Sequence, residues 1–173
     1  PGNGAYLDRW TNEATPLQIE LKWLDQKNGP EHTLFSEQID AQHPYHPFLN
    51  RHSNASFGTV EAEDGQTLHY RLTPPSKVTG KHPVIVYVYG GPGVHRVKRE
   101  WSPLLVQLFA HHGYGVLELD NRGSSNRGRH FERPLYRSMG TIEVNDQLTG
   151  LSVLEQVAWA DSERIGVHGH SYG

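Results

Sequence analysis

The sequence predicts a mixed α/β protein in which a parallel sheet follows a short antiparallel β region. Two apolar runs, "PVIVYVY" (83–89) and "YGVLELD" (114–120), indicate the parallel sheet, because such runs are typical of buried strands. "RIGVHGH" (164–170) is a third, short apolar run that predicts another strand. A helical pattern lies between each run and the next. This order is that of a βαβαβ unit, which predicts parallel strands joined by right-handed crossovers.

The first 36 residues or so carry the pattern of antiparallel strands. In "LQIELKWL" (17–24), apolar residues alternate with Gln, Glu and Lys, which predicts a strand with one face in water. "DQKNGPEH" (25–32) follows as a predicted turn, and "HTLFSE" (32–37) as a return strand. Two or three short strands bury too little surface to be stable alone, so we expect them to belong to a larger β-array.

Residues 37–53 have no periodicity and contain two His-Pro pairs, a composition typical of a crossing between domains. The pattern changes at Ala55. Residues 57–75 predict a hairpin with Asp64 and Gly65 at its turn.

Two segments predict the helices of the βαβαβ unit. In residues 102–113, Ser102 is the expected N-cap, Pro103 the first helical residue and Gly113 the end. The second segment, residues 143–160, places a set of apolar side chains on one face, which we expect to pack against the sheet. That set comprises Val144, Leu148, Leu151, Leu154 and Ala158.

Length and composition exclude several classes of protein. The chain has 173 residues, a formal net charge of −3 and no long basic run, so nucleic acid is not an expected partner. No apolar stretch approaches the ~20 residues of a membrane span, and the absence of Cys excludes disulfides and thiolate chemistry. Because the N-terminus has neither an initiating Met nor a signal-like apolar segment, we expect the chain to be a piece of a longer protein.

The last five residues, "GHSYG", form a Gly-x-Ser-x-Gly pattern directly after the third predicted strand. Such a pattern predicts a nucleophile elbow, a strained turn that exposes a reactive serine hydroxyl. Gly169 and Gly173 would flank Ser171 because the backbone there approaches too closely for a Cβ atom. The backbone N–H of Tyr172 would then point at the position where an oxyanion forms.

Two further loops leave the carboxyl ends of the predicted parallel strands, where open α/β sheets bind ligands. "YVYGGPG" (87–93) has paired glycines that allow close backbone approach, and the Tyr89 hydroxyl could donate to the same oxyanion. An ordinary glycine turn explains that loop equally well. "DNRGSSNRG" (120–128) is rich in Asp, Arg and Gly, which suits a hydrogen-bonded loop that supports the site.

Twelve His residues raise the alternative of a metal site, but the sequence has no HExxH or comparable ligand spacing. We therefore expect neither a metal nor a cofactor. His168 and His170 are too close to Ser171 in sequence to reach its hydroxyl as a general base in an elbow.

Taken together, "YVYGGPG", "DNRGSSNRG", "GTIEVNDQ" and "GHSYG" resemble, in order and spacing, the dipeptidyl peptidase IV branch of the prolyl oligopeptidase family of serine peptidases. The resemblance covers essentially the whole chain. It implies that residues 1–43 are the end of a β-propeller domain and a crossing segment. Residues 44–173 would be the N-terminal part of an α/β-hydrolase domain, truncated at the elbow. The family's nucleophile falls on Ser171, and its oxyanion hole on the Tyr172 amide and the Tyr89 hydroxyl.

The resemblance implies a serine exopeptidase that releases N-terminal dipeptides from peptides with Pro or Ala at the second position. An acylaminoacyl peptidase or carboxylesterase of the same fold, and a non-catalytic α/β-hydrolase-like binding module, remain as alternatives. It also suggests a homodimer and, for a bacterial source, a periplasmic or secreted location.

Departures from the family pattern limit what the resemblance implies. His170 stands where the family usually has Trp or a similar residue. The Asp and His of the triad follow the serine in α/β-hydrolases, so they are expected beyond Gly173. The paired Glu residues that bind a substrate's amino terminus are expected before Pro1. The 173 residues alone are therefore expected to be inactive.

Overall fold

The computed structural model describes residues 4–24 and 32–173, and these divide into two compact units. The first lies within Pro1–Asn50 together with Arg99–Ser102, and the second comprises Arg51–Lys98 and Pro103–Gly173. The first unit contains an antiparallel sheet, and the second combines a larger sheet with helices. The predicted mixed α/β class is thus confirmed, whereas the assignment of residues 1–43 and 44–173 to two named domains stays a prediction.

Three antiparallel strands form the sheet of the first unit, in the order β1-β2-β3. They are β1 (Ala5–Trp10), β2 (Gln18–Trp23) and β3 (His32–Ser36). β2 and β3 confirm the strands predicted at residues 17–24 and 32–37. The turn predicted between them at residues 25–32 lies, except for its last residue, outside the described residues.

The alternation in β2 predicts a polar face in water, but the polar side chains of this strand are buried or only partly exposed. Gln18 is buried and donates a hydrogen bond of 3.2 Å from Nε2 to the carbonyl oxygen of Pro16. Lys22 is only partly exposed and forms ion pairs of 2.7 Å with Asp8 and 3.0 Å with Glu20. The polar residues of this strand are therefore bonded to neighbouring charged side chains and to the backbone.

Further along the chain, a 3₁₀ helix at His46–Arg51 falls in the segment expected to lack regular structure.

A five-stranded mixed sheet forms the centre of the second unit, in the order β4-β5-β7-β6-β8. Its strands are β4 (Ser56–Glu61), β5 (Thr67–Thr73), β6 (His82–Val88), β7 (Gly115–Asp120) and β8 (Ala160–Gly169). β4 and β5 form the predicted hairpin, with Gly65 at the turn at a φ of 81°. β6 pairs in parallel with both β7 and β8, as predicted. The carboxyl ends of these three strands consequently lie at one edge of the sheet.

The α-helices of this unit are α1 (Leu104–His111), α2 (Arg129–Glu132) and α3 (Ile142–Glu155), and a 3₁₀ helix at Arg133–Leu135 follows α2. The prediction of Ser102 as the N-cap of α1 is wrong. Pro103 occupies that position with a ψ of 140°, so helical geometry begins only at Leu104, and no side chain caps the helix. Gly113 ends the helix region as predicted, with a φ of 86° and an N–H bonded to the carbonyl of Ala110.

The apolar face predicted for α3 is correct only in part. Leu154 is buried and Leu151 packs against the core, but the other three members of the set do not. Val144 and Leu148 are 47% and 59% exposed, and Ala158 lies beyond the end of the helix. The residues that α3 buries are Glu143, Asp146, Gly150, Val153 and Leu154. The first two are acidic, and they are buried because they bind neighbouring loops, as described below.

The strands differ in burial. Every residue of β7 is buried, as predicted for a strand between two neighbours. β8 begins at Ala160, earlier than the apolar run indicates, and most of it is exposed, with Val167 75% accessible. Within the described residues β8 is the edge of the sheet, so it has a neighbouring strand on one side only. The main core cluster comprises Leu72, Val84, Leu117, Leu154 and Ala160.

Candidate active site

The backbone around Ser171 has the close contacts predicted for an elbow. Ser171 follows β8 and has a φ of 61°, a left-handed conformation that is strained for a residue with a side chain. A Cβ atom on Gly169 would lie 2.3 Å from the carbonyl carbon of Gly173, and one on Gly173 would lie 2.3 Å from the carbonyl oxygen of Val88. The steric reason for both glycines is therefore confirmed.

Tyr172 joins this turn to the loop after β6. Its ring lies against Gly91, where a Cβ atom would come within 2.6 Å of the ring's Cγ. The rings of Tyr89 and Tyr172 have centroids 6.1 Å apart at an angle of 41°. The structure thus places Tyr89 beside the residue that follows Ser171. The catalytic roles of Ser171, Tyr89 and Tyr172 remain predictions.

Glu143 binds the other end of the Tyr172 side chain. The Tyr172 hydroxyl donates a hydrogen bond of 2.8 Å to Oε1 of Glu143, which is buried at the start of α3. Burial raises the pKa of Glu143, but hydrogen bonds from the Gly140 N–H, the Tyr172 hydroxyl and the Thr141 N–H outweigh burial and lower it below its ordinary value. The pKa of Tyr172 is raised, first by burial and then by its bond to this carboxylate.

The loop that carries Tyr89 is held by the loop that follows β7. Asn121 Nδ2 donates to the carbonyl oxygen of Gly90 over 2.9 Å, and the Gly93 N–H donates to the carbonyl oxygen of Gly123 over 3.0 Å. Gln147 of α3 donates a further bond of 2.9 Å to Oδ1 of Asn121. These contacts agree with the supporting role predicted for "DNRGSSNRG".

Arg122 fastens the same loop to α3. Its backbone N–H and its Nε donate to Oδ2 of Asp146 over 2.7 and 2.9 Å, and both side chains are buried. The guanidinium also pairs with Asp64 in the turn between β4 and β5. The bond to Asp146 is the main cause of a raised pKa for Arg122. Three separate segments therefore meet on one arginine.

A second anchor holds the far end of the loop after β6. The N–H groups of Arg96 and Val97 donate to Oδ1 of Asp120 over 2.6 and 3.2 Å. The Arg96 guanidinium stacks on Tyr87 at 3.7 Å and donates to buried Glu118 over 2.8 Å. Burial raises the pKa of Asp120, and the two N–H bonds oppose part of that rise.

His168 and His170, the two histidines nearest to Ser171 in the sequence, have different surroundings. His168 packs against Tyr87 and Phe109, with ring centroids 5.1 and 5.4 Å away. His170 is exposed. Across residues 4–24 and 32–173, no three His, Asp or Glu side chains form a group able to hold a metal ion.

An apolar cavity of about 450 Å³ lies beside this site, between α3 and the strands β6 and β8. It accounts for the exposure of Val144 and Leu148, because both side chains line it. The other lining residues include Val86, Val88, Tyr89, Leu151, Val167 and Tyr172.

No helix in the described part of the chain is long and apolar enough to cross a membrane.

Two residues that hold the site together, Glu143 and Asp146, were not predicted from the sequence. Both occur in "GTIEVNDQ", a motif quoted for its resemblance but without roles for individual residues. Each is an acidic residue at a position that the helix buries. The three-residue spacing of these acids on α3 is the only sequence signal that points to a shared face.

Comparison with known proteins identifies the family. A family model described as the prolyl oligopeptidase family matches residues 100–173. Dipeptidyl peptidase 8 from Homo sapiens is 37% identical over 178 residues, an alignment that covers 97% of this chain and 19% of that protein. The chain belongs to the prolyl oligopeptidase family. Another relative, dipeptidyl peptidase 4 from Trichophyton equinum, is 33% identical over 124 residues, which cover 68% of this chain and 16% of that protein.

Solved structures agree with this membership of the prolyl oligopeptidase family. A protein from Bacteroides ovatus, provisionally assigned as a dipeptidyl aminopeptidase IV, matches with a TM-score of 0.79 at 37% identity. That match covers 96% of this chain and 23% of the other. Dipeptidyl peptidase 4 from Porphyromonas gingivalis has a TM-score of 0.82 at 24% identity, covers 98% and 24% of the two chains, and shows the fold alone. The chain spans about a fifth or less of the length of its curated relatives.

Proposed function

We propose that the full-length gene product is a serine exopeptidase that releases dipeptides from the amino termini of peptides, with Ser171 as its nucleophile. One observation carries the proposal: Ser171 has a positive φ between two glycines that leave no room for a Cβ atom, beside the loop that bears Tyr89. Family membership, and relatives named as dipeptidyl peptidases, support the reaction class.

The chemistry follows from a serine in this position. Oγ of Ser171 attacks the carbonyl carbon of the substrate's second residue while its proton passes to a general base. The carbon–nitrogen bond then breaks, the proton goes to the leaving amine, and water hydrolyses the ester that remains on Ser171. In α/β-hydrolases the Asp and His of the triad follow the serine in chain order, and neither is assigned to a residue of this chain.

The oxyanion of the tetrahedral intermediate needs hydrogen-bond donors. The backbone N–H of Tyr172 and the hydroxyl of Tyr89 are the proposed pair, and each donor is worth about 3 kcal/mol in the transition state. The contact between the Tyr89 and Tyr172 rings supports this pairing, because it keeps the two residues side by side.

We also propose a domain organisation and a substrate preference for the full-length gene product. Residues 1–43 would end a β-propeller and complete a crossing, and residues 44–173 would begin the α/β-hydrolase domain. The three antiparallel strands of the first unit and the mixed sheet of the second support that division. Preferred substrates would carry Pro or Ala at the second position, and the protein would be a homodimer.

Hydrolysis of dipeptide p-nitroanilides tests the function. We expect the full-length gene product to cleave Gly-Pro and Ala-Pro p-nitroanilide, and Ser171→Ala to abolish cleavage. N-acetylated Gly-Pro p-nitroanilide is the matched substrate control and should not react. Cleavage of acetylated substrates alone would favour an acylaminoacyl peptidase, and cleavage of p-nitrophenyl butyrate alone a carboxylesterase. No hydrolysis of any of these would contradict the proposal.

A further inference from the structure

Glu143 accepts more hydrogen bonds than the start of a helix requires. Its carboxylate receives the N–H groups of Gly140 and Thr141, which is the usual way for an acidic side chain to satisfy a helix N-terminus. The third donor is the hydroxyl of Tyr172, 29 residues further along the chain. This last bond does nothing for the helix backbone, so it calls for a separate explanation.

Tyr172 is consequently held at both ends of its side chain. Its Cγ lies where a Cβ atom on Gly91 would be only 2.6 Å away, and its hydroxyl is bound to a buried carboxylate 2.8 Å away. Its backbone follows directly on Ser171, whose φ of 61° is strained and must be maintained by surrounding contacts. Fixing this ring therefore limits rotation of the Tyr172 peptide, whose N–H is the proposed oxyanion donor.

We propose that Glu143 is a positioning residue for the oxyanion hole, acting through the Tyr172 hydroxyl to aim the Tyr172 N–H; this inference rests on the proposed function. A carboxylate near a developing oxyanion would by itself oppose catalysis. Here three hydrogen bonds stabilise the charge of the Glu143 carboxylate, and the length of a tyrosine side chain separates this carboxylate from the Tyr172 backbone. The carboxylate therefore orients the donor without facing the reacting atoms.

The inference predicts a pattern in the kinetic constants. A donor that acts on the oxyanion stabilises the transition state and not the bound substrate, so its misplacement lowers kcat and leaves KM almost unchanged. Misplacement by about 1 Å can cost up to roughly a hundredfold in rate. We expect Glu143→Ala and Tyr172→Phe each to lower kcat by about tenfold or more. We expect Glu143→Gln, which keeps an acceptor for the hydroxyl, to lower it less.

A double-mutant cycle in the full-length gene product tests whether Glu143 acts through Tyr172. Initial rates on Gly-Pro p-nitroanilide are divided by the concentration of active sites, titrated with a fluorophosphonate, so that poorly folded protein does not count. If the inference holds, the double variant is no slower than the slower single variant, because both changes remove one interaction. Glu155→Ala, an exposed position at the end of the same helix, is the control and should keep the parental kcat.

The outcomes separate the inference from the proposed function. Multiplying effects in the double variant, or an unchanged kcat per active site in Glu143→Ala with only a lower melting temperature, would overturn the inference alone. Glu143→Gln and Tyr172→Phe decide the matter if Glu143→Ala does not fold, since a kcat unchanged in both would also overturn it. A parental protein that neither hydrolyses the substrate nor reacts with the fluorophosphonate would overturn the proposed function and the inference together.

Discussion

Asn121, the residue after β7, donates a hydrogen bond of 2.9 Å from Nδ2 to the carbonyl oxygen of Gly90, the residue after Tyr89. Gln147 fixes the orientation of that amide by donating to its Oδ1 over 2.9 Å. The loops at the ends of β6 and β7 are thereby joined to α3. This linkage gives the Tyr89 loop a defined backbone position, which a hydrogen-bond donor in catalysis requires.

Tyr89→Phe tests the second oxyanion donor. The change removes the hydroxyl and keeps the ring that contacts Tyr172. If the hydroxyl stabilises the transition state, kcat falls by about a hundredfold or more with little change in KM. Steady-state kinetics on Gly-Pro p-nitroanilide measure both constants, with Tyr114→Phe, at a partly exposed tyrosine before β7, as the control. A kcat within a few-fold of the parental value would mean that Tyr89 serves packing only, as in an ordinary glycine turn.

Gly91→Ala tests the contact between the Tyr89 loop and the elbow. A methyl group at this position would lie 2.6 Å from Cγ of Tyr172 and must displace that ring. Because the displacement occurs next to Ser171, we expect kcat to fall by at least about tenfold. Melting temperature, measured in parallel, distinguishes a local change from unfolding. Parental kcat in a folded variant would show that the position of the Tyr172 ring does not matter.

Asp146→Ala tests the arginine that joins three segments. Arg122 would be left buried without its main partner, which should lower the free energy of unfolding by about 3 kcal/mol or more. Urea denaturation measures the change. Asp161→Ala removes the partner of Arg164 in an exposed ion pair of the same unit, and it should have little effect. Similar losses of unfolding free energy in the two variants would show that the buried pair of Arg122 and Asp146 stabilises the fold no more than an exposed pair does.

Asp120→Asn tests the buried carboxylate under the Tyr89 loop. Its raised pKa means that ionised Asp120 opposes folding, and that stability increases as the pH falls through the pKa of the folded state. The amide oxygen of Asn can still accept the N–H groups of Arg96 and Val97 and carries no charge. We expect Asp120→Asn to be at least as stable as the parent at pH 7.

The pH dependence separates charge from hydrogen bonding at this position. Any advantage of Asp120→Asn should shrink as the pH falls from 7 toward 4, because the parental carboxyl then gains a proton. Asp120→Ala loses the hydrogen-bond acceptor as well, so it should be less stable than the parent at both pH 7 and pH 4. Melting temperatures across this range provide the test. A disadvantage of the Asn variant that is greatest at pH 7 would contradict the assignment.

How far the sequence predicts the structure depends on the kind of pattern. Strands such as β7 have neighbours on both sides, and a continuous apolar run describes them well. Side-chain exposure on α3 was predicted only in part. Apolar periodicity assigns Leu151 and Leu154 correctly to the core. It also assigns Val144 and Leu148 there, whereas the helix buries Glu143 and Asp146. Those two acids are buried because of bonds to Tyr172 and Arg122, residues that are distant in sequence, and periodicity carries no information about such bonds.

The candidate site was predicted better than the contacts that hold it. The Gly-x-Ser-x-Gly spacing has a local steric cause, so the close backbone approach at Gly169 and Gly173 could be expected from the sequence. The approach of Tyr172 to Gly91 depends on β6 and β8 being adjacent and in register, which only the folded sheet determines.

Covalent labelling with an active-site reagent shows whether Ser171 is an activated nucleophile. The folded full-length gene product is treated with a fluorophosphonate, digested and mapped by mass spectrometry, with Ser171→Ala and heat-unfolded protein as controls. We expect one modified serine, Ser171, in the folded protein, and no label in either control. Folded protein that leaves Ser171 unmodified, under conditions that label a known serine peptidase completely, would contradict this expectation.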